Sequence, residues 1–206
     1  MIPWEGPWVD FAVSKFLGRR SGFQIRCEKA KIFRWSRASF KTMTVGVEKQ
    51  RSLLTTGPGS VCLERPLFLT IDLADLHFTE GLNLASFFSS GPLATGLEGK
   101  FSLTRLRVSF SGNGSEDLIR ILRCTSDDFS LRGGLALNDK RLTKAHLYLS
   151  LASSRLKTLP LPIRSRMSKE KGGWAAMHIV YFQNQLTFSG RRGPIFQAKW
   201  QGQGLG

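Results

Sequence analysis

The residues best equipped for chemistry in this chain are three histidines, His77, His146 and His178, and three cysteines, Cys27, Cys62 and Cys124. Together these types could hold zinc if short spacings gathered them round one ion. The histidines lie far apart, and no Cys or carboxylate stands at ligand spacing from any of them. An acid–base couple needs two carboxyls that reach one substrate. The acidic pair Asp127-Asp128 lies in a β context, where adjacent side chains face opposite ways. The stretch from Ser109 to Ser115, Ser-Phe-Ser-Gly-Asn-Gly-Ser, is a loose likeness of a nucleophile or phosphate loop, and its simpler job is to end a strand and cap a helix. No Gly-x-Ser-x-Gly elbow, phosphate loop or dinucleotide fingerprint occurs. The expectation is a protein that binds and does not catalyse, with no catalytic residue, metal site, cofactor or small-molecule substrate. Three cysteines leave at least one thiol unpaired, so they do not suggest a disulfide framework.

Charge offers a second kind of chemistry. The formal net charge is +15, and from Lys140 onward twelve Lys and Arg residues face a single acid, Glu170. Such an imbalance attracts nucleic acid or anionic lipid head groups. Lys157, Arg164, Arg166, Lys169, Lys171, Arg191 and Arg192 are the candidate residues for an anionic surface. Nucleic acid is the weaker partner, because the five tryptophans are scattered at 4, 8, 35, 174 and 200 and no RNP-like or helix-turn-helix pattern accompanies them.

The elements that position these residues are mostly strands. Ala145, Leu147, Leu149 and Leu151 alternate with His146, Tyr148 and Ser150, and Leu67, Leu69, Ile71 and Leu73 alternate with Phe68, Thr70 and Asp72. Period-two patterning gives each run one apolar face. Leu67, Leu69, Ile71, Leu73, Leu147, Leu149 and Leu151 are the candidate apolar, lipid-facing set, on one common surface. Leu106, Val108 and Phe110, then Phe129 and Leu131, and later Met177, Ile179 and Tyr181 repeat the pattern, with Leu186 and Phe188 as a hairpin partner. Pro7 and the apolar run from Trp8 to Leu17 predict an N-terminal helix. Ser115, Glu116 and Asp117 before Leu118, Ile119, Ile121 and Leu122 predict a short helix over 115–123. Gln50 to Ser60 reads as a loop, and Leu82 to Phe88 as a short helix or a strand. Leu159-Pro160-Leu161-Pro162 argues against helix, and Ser165 to Gly173 reads as basic, polar and mobile.

The predicted fold is therefore mainly β: an antiparallel meander of amphipathic strands in a curved or folded-over sheet, with an N-terminal amphipathic helix and one or two short helices. One domain spans 1–206, divided into the N-terminal helix (1–22), the main sheet (23–151), a basic loop region (152–173), a C-terminal hairpin (174–200) and a tail (201–206). No stretch approaches the roughly 20 apolar residues that span a bilayer. Met1 to Trp8 lacks the basic start and apolar run of a signal peptide.

Taken in order, the chain resembles the AsmA-like superfamily, which includes the type II secretion GspN-like proteins and is built of repetitive amphipathic β-sheet. Three stretches carry the likeness. The helix Trp8–Leu17, with Gly22-Phe23-Gln24-Ile25 and the strands over 32–47, looks like the segment after that family's membrane anchor. Leu118 to Leu122, Phe129 to Leu135 and Leu142 to Leu147 look like its module of short helix, Gly-Leu and strand. Gly173-Trp174 through Leu186 to Ile195 looks like its terminal strand pair. The family's transmembrane helix has no counterpart in this sequence. The resemblance implies envelope work without catalytic residues: a sheet whose apolar face shields or carries lipid, or a scaffold in outer-membrane biogenesis. It also implies a periplasmic or inner-membrane-associated location, with lipid or an anionic membrane surface, and other envelope proteins, as partners. A self-contained β scaffold with a basic surface is the alternative.

Overall fold

The computed structural model describes residues 3–21, 23–34, 36–46, 52–64, 68–79, 103–112, 116–138, 141–191 and 193–199. The chain begins with β1 (Trp4–Glu5), the helix α1 (Pro7–Ser21) and four short strands, β2 (Gln24–Glu28), β3 (Lys31–Arg34), β4 (Arg37–Phe40) and β5 (Thr42–Gly46). Next come β6 (Ser52–Thr56), β7 (Gly59–Glu64) and the long strands β8 (Phe68–Phe78), β9 (Leu103–Gly112), β10 (Asp117–Thr125), β11 (Phe129–Asn138) and β12 (Arg141–Leu151). Two one-turn helices, α2 (Ser153–Leu156) and α3 (Leu161–Arg164), lead through β13 (Ser168–Lys169) to β14 (Ala175–Phe182), β15 (Gln185–Gly190) and β16 (Gly193–Lys199).

Among the described residues, sixteen strands form one sheet, mainly antiparallel β as the alternation predicts. Its main path runs β1-β3-β4-β7-β8-β9-β10-β11-β12-β14-β15-β16, so from β7 to β12 each strand pairs with its sequence neighbour. A branch of β2, β5 and β6 joins at β8. Asp75 makes the branch possible: its φ of 50° breaks the extended run of β8. Residues before the break pair with β7, while His77 and Phe78 pair with β6. The Gly57-Pro58 turn is held there, Gly57 N–H donating to the Ala74 carbonyl and Ala74 N–H to the Pro58 carbonyl, both at 3.0 Å.

Helix α1 packs through Val9, Val13 and Leu17, a stripe at four-residue spacing that is almost wholly buried. Polar contacts fix it to the first strands. Ser14 Oγ accepts from Cys27 N–H at 2.8 Å, and the Asp10 carboxylate accepts from Ala30 N–H at 2.6 Å.

Five features depart from the sequence reading. Residues 117–125 are the strand β10 and not a helix. Leu122 sits in a β-bulge where pairing shifts after Ile121, and that extra residue creates the three- and four-residue apolar spacings that mimic a helix. Central position then decides, since β10 exchanges backbone hydrogen bonds with β9 on one side and β11 on the other. Ser52–Thr56 within the expected loop is β6. Leu161–Arg164 is helical despite Pro162, because first-turn N–H groups have no intrahelical acceptor to lose. The basic region is anchored: Leu159, Ile163 and Met167 are buried, and Ser168 pairs with Ala176. At Gly190 an added Cβ would lie 2.0 Å from the Arg166 carbonyl oxygen, so this segment crosses β15 where no side chain fits. The 174–200 hairpin is a three-strand continuation of the sheet, since β14 pairs with β12. Leu82 to Phe88 lies outside the described residues.

Candidate functional site

Directly paired residues share a sheet face, so the registers define rows that cross the sheet. One row runs Leu63, Leu69, Phe110, Ile119, Leu135, Ala145, Tyr181 and Leu186. The next runs Val61, Ile71, Val108, Ile121, Gly133, Leu147, Ile179 and Phe188. A third runs Gly59, Leu73, Leu106, Cys124, Leu131, Leu149 and Met177. Leu69, Ile71 and Leu73 therefore stand on the same apolar face as Leu147, Leu149 and Leu151, the last paired with Phe129 and Ala175. Leu67 and Arg192 lie outside the described residues.

Burial is graded along β8 to β11 on this face, while in the outer row Ala145 of β12 is buried, as are Tyr181 and Leu186 beyond it. Near the start of β9 and the end of β12, Leu76, Leu103, Phe129 and Leu151 are buried, as are Leu73, Cys124 and Leu149 beside them. Toward the other end, Leu69, Phe110, Ile119 and Leu135, and the middle residues Ile71, Val108, Ile121 and Leu147, are only half-buried. A sheet with one apolar face buries it by curling or by taking a cover. Leu159, Ile163 and Met167, beside Leu151, join one buried cluster with the α1 stripe. Among the described residues, no element covers the Phe110–Ile119–Leu135 row to the same depth.

The opposite face is polar and basic. Asp72, Arg107 and Arg123 stand in register across β8, β9 and β10, with Arg120 opposite Ser109. Arg105 makes a two-toothed contact with Asp72, Nε to Oδ1 at 3.0 Å and Nη2 to Oδ2 at 2.8 Å. Hydrogen bonding to Arg105 holds the Asp72 carboxyl below its ordinary value. Arg132 lies over the Tyr148 ring at 4.6 Å, and the Tyr148 hydroxyl donates to Glu170 at 2.7 Å, which raises the phenol's pKa. Sequence reasoning missed this cluster because the helix expected at 115–123 hid Arg120 and Arg123. Lys157, Arg164, Arg166, Lys169, Lys171 and Arg191 are all exposed on the segment after β12 and the β15–β16 turn. Arg166 donates to the Pro194 carbonyl at 3.4 Å.

His77, His146 and His178 are exposed, and His178 meets Tyr148 edge-on at 4.8 Å. Among the described residues, no group of three His, Cys, Asp or Glu side chains could hold a metal ion. Burial pushes the Cys27 and Cys124 thiols up to about 11. Among the described residues, no helix is long and apolar enough to cross a membrane. No family model, curated protein or solved structure matches this chain.

Proposed function

We propose that the half-covered part of the apolar face receives acyl chains, and that the protein is a non-enzymatic envelope protein that shields or carries lipid or scaffolds outer-membrane biogenesis. One observation supports this most: along β8 to β11 the same apolar face passes from fully buried to half-buried without becoming polar. A surface meant for water would change composition where its cover ends, whereas Phe110, Ile119 and Leu135 keep it apolar. The likeness to AsmA-like proteins agrees with this reading, which carries a periplasmic or inner-membrane-associated location and other envelope proteins as partners. Mass spectrometry of lipid retained by the purified protein is the test. Retained lipid that falls sharply in Phe110→Asp supports the proposal, and a parent protein free of lipid that also takes up no added fatty acid contradicts it.

A self-contained β scaffold is the second reading. It is favoured by the basic face, where Arg107, Arg120 and Arg123 are exposed and suit an acidic partner without any lipid.

A further inference from the structure

We propose that the outward side of α1, together with Phe23, is a docking surface for an anionic phospholipid bilayer. This surface is separate from the apolar sheet face and does not depend on that face carrying lipid. Helix α1 is apolar on two sides. Val9, Val13 and Leu17 fill one side and are buried. Away from that stripe, Trp8 and Phe11 are 55% and 64% exposed, Phe16 on the stripe's flank is 43% exposed, and Phe23 just beyond the helix is 45% exposed. Isolated exposed aromatics are ordinary on a protein surface, but these four fall on one helix and the turn that follows it.

Charge selects the occupant. Lys15, Arg19 and Arg26 border a shallow groove of about 590 Å³ between α1 and β2, and none of the described residues that line it is acidic. Lys15 Nζ lies 5.0 Å from the centre of the Phe11 ring, so a cation and an aromatic ring share one spot. Asp10 is the helix's one acid, and it is engaged on the inner side by the Ala30 and Lys29 N–H groups. Trp4 and Trp8 have ring centres 5.8 Å apart at the N-terminal end of the helix. Tryptophan and phenylalanine favour the boundary between head groups and acyl chains, and nearby cations favour anionic head groups. A second copy of this chain would bring like charges face to face.

Flotation of the full chain with vesicles tests this. Phosphatidylcholine alone is compared with phosphatidylcholine and phosphatidylglycerol in equal parts, at low and high salt. The parent is expected to float with the mixed vesicles at low salt, with a blue shift of tryptophan emission, and to remain behind with phosphatidylcholine alone. Lys15→Glu with Arg19→Glu, and separately Phe11→Ser with Phe16→Ser, should each lower partitioning about tenfold or more. The charge variant should keep the parent's thermal midpoint, because Lys15 and Arg19 are exposed, and the aromatic variant is compared below its own midpoint, because Phe16 is more than half covered. Lys169→Gln with Lys171→Gln should float as the parent does. The proposal is overturned if the parent does not float, if it floats equally on both vesicles, if the α1 variants float undiminished, or if only the Lys169/Lys171 variant loses binding. Retained lipid and fatty-acid uptake measured on the same preparations separate the two proposals: charge-dependent flotation with neither retained lipid nor uptake of added fatty acid leaves this one standing and removes the acyl-chain reading.

Discussion

Arg155 Nε donates to Asp128 Oδ2 at 2.5 Å, joining α2 to the β10–β11 turn across the fully buried end of the apolar face. Both side chains are mostly covered, at 21% and 26% exposure. Asp128 is set in place locally, accepting from Ser126 Oγ at 2.7 Å, and its carbonyl accepts from Ala152 N–H at 2.9 Å. The pair therefore fastens the segment carrying Leu159, Ile163 and Met167 to the sheet.

Arg155→Ala should cost about 1–2 kcal/mol, as expected when a charge-assisted hydrogen bond is lost. A double-mutant cycle with Asp128→Asn should return a coupling of about 1 kcal/mol. Hydrogen exchange should quicken over 153–167 and stay unchanged in β9 to β11. Equal acceleration in both would show that the contact does not act locally.

The Asp72–Arg105 pair predicts an acid-side effect. A carboxyl whose folded pKa is depressed adds stability that is fully present above its unfolded value, near 3.9. That contribution is lost as pH falls through the lower folded value. The stability difference between the parent and Asp72→Asn should thus be constant above about pH 5 and shrink from there toward about pH 2. Denaturant titrations across that range would show it. A difference that grows on acidification contradicts the assignment.

The thiols should separate by reactivity. Cys27 and Cys124 are buried with pKa values near 11, whereas Cys62 is half-buried. Thiolate is the reactive form. Iodoacetamide at neutral pH should therefore modify Cys62 first, with Cys27 and Cys124 labelled only after unfolding. Peptide mapping against time reads the order directly.

Much of the fold is legible in period-two patterning. Met177, Ile179 and Tyr181 alternate with His178, Val180 and Phe182 in the sequence and are buried as that alternation requires. The long strands β8 and β12 are equally plain, because each shows one apolar face over several repeats. Legibility fails where a backbone irregularity adds a residue. The bulge at Leu122 turns a central strand into an apparent amphipathic helix, and the break at Asp75 sends one strand to two partners. It also fails for Leu159, Ile163 and Met167, which make a buried cover within a basic, proline-bearing stretch. Outside β10, the apolar face can be listed residue by residue from the sequence. Its gradient of burial cannot, because cover is a property of what packs above a strand.

The most direct measurement compares Leu149→Asp with Ile119→Asp, by thermal unfolding and by mass spectrometry of retained lipid. Leu149 is 4% exposed, paired between Leu131 and Met177, so an unpaired carboxylate there costs several kcal/mol, about the whole margin of a typical fold. Ile119 is half-buried on the same face, where water can reach the new charge. The expected result is an unfolded Leu149→Asp and a folded Ile119→Asp that has lost its lipid. An Ile119→Asp protein that stays folded and holds as much lipid as the parent contradicts acyl-chain binding on this face.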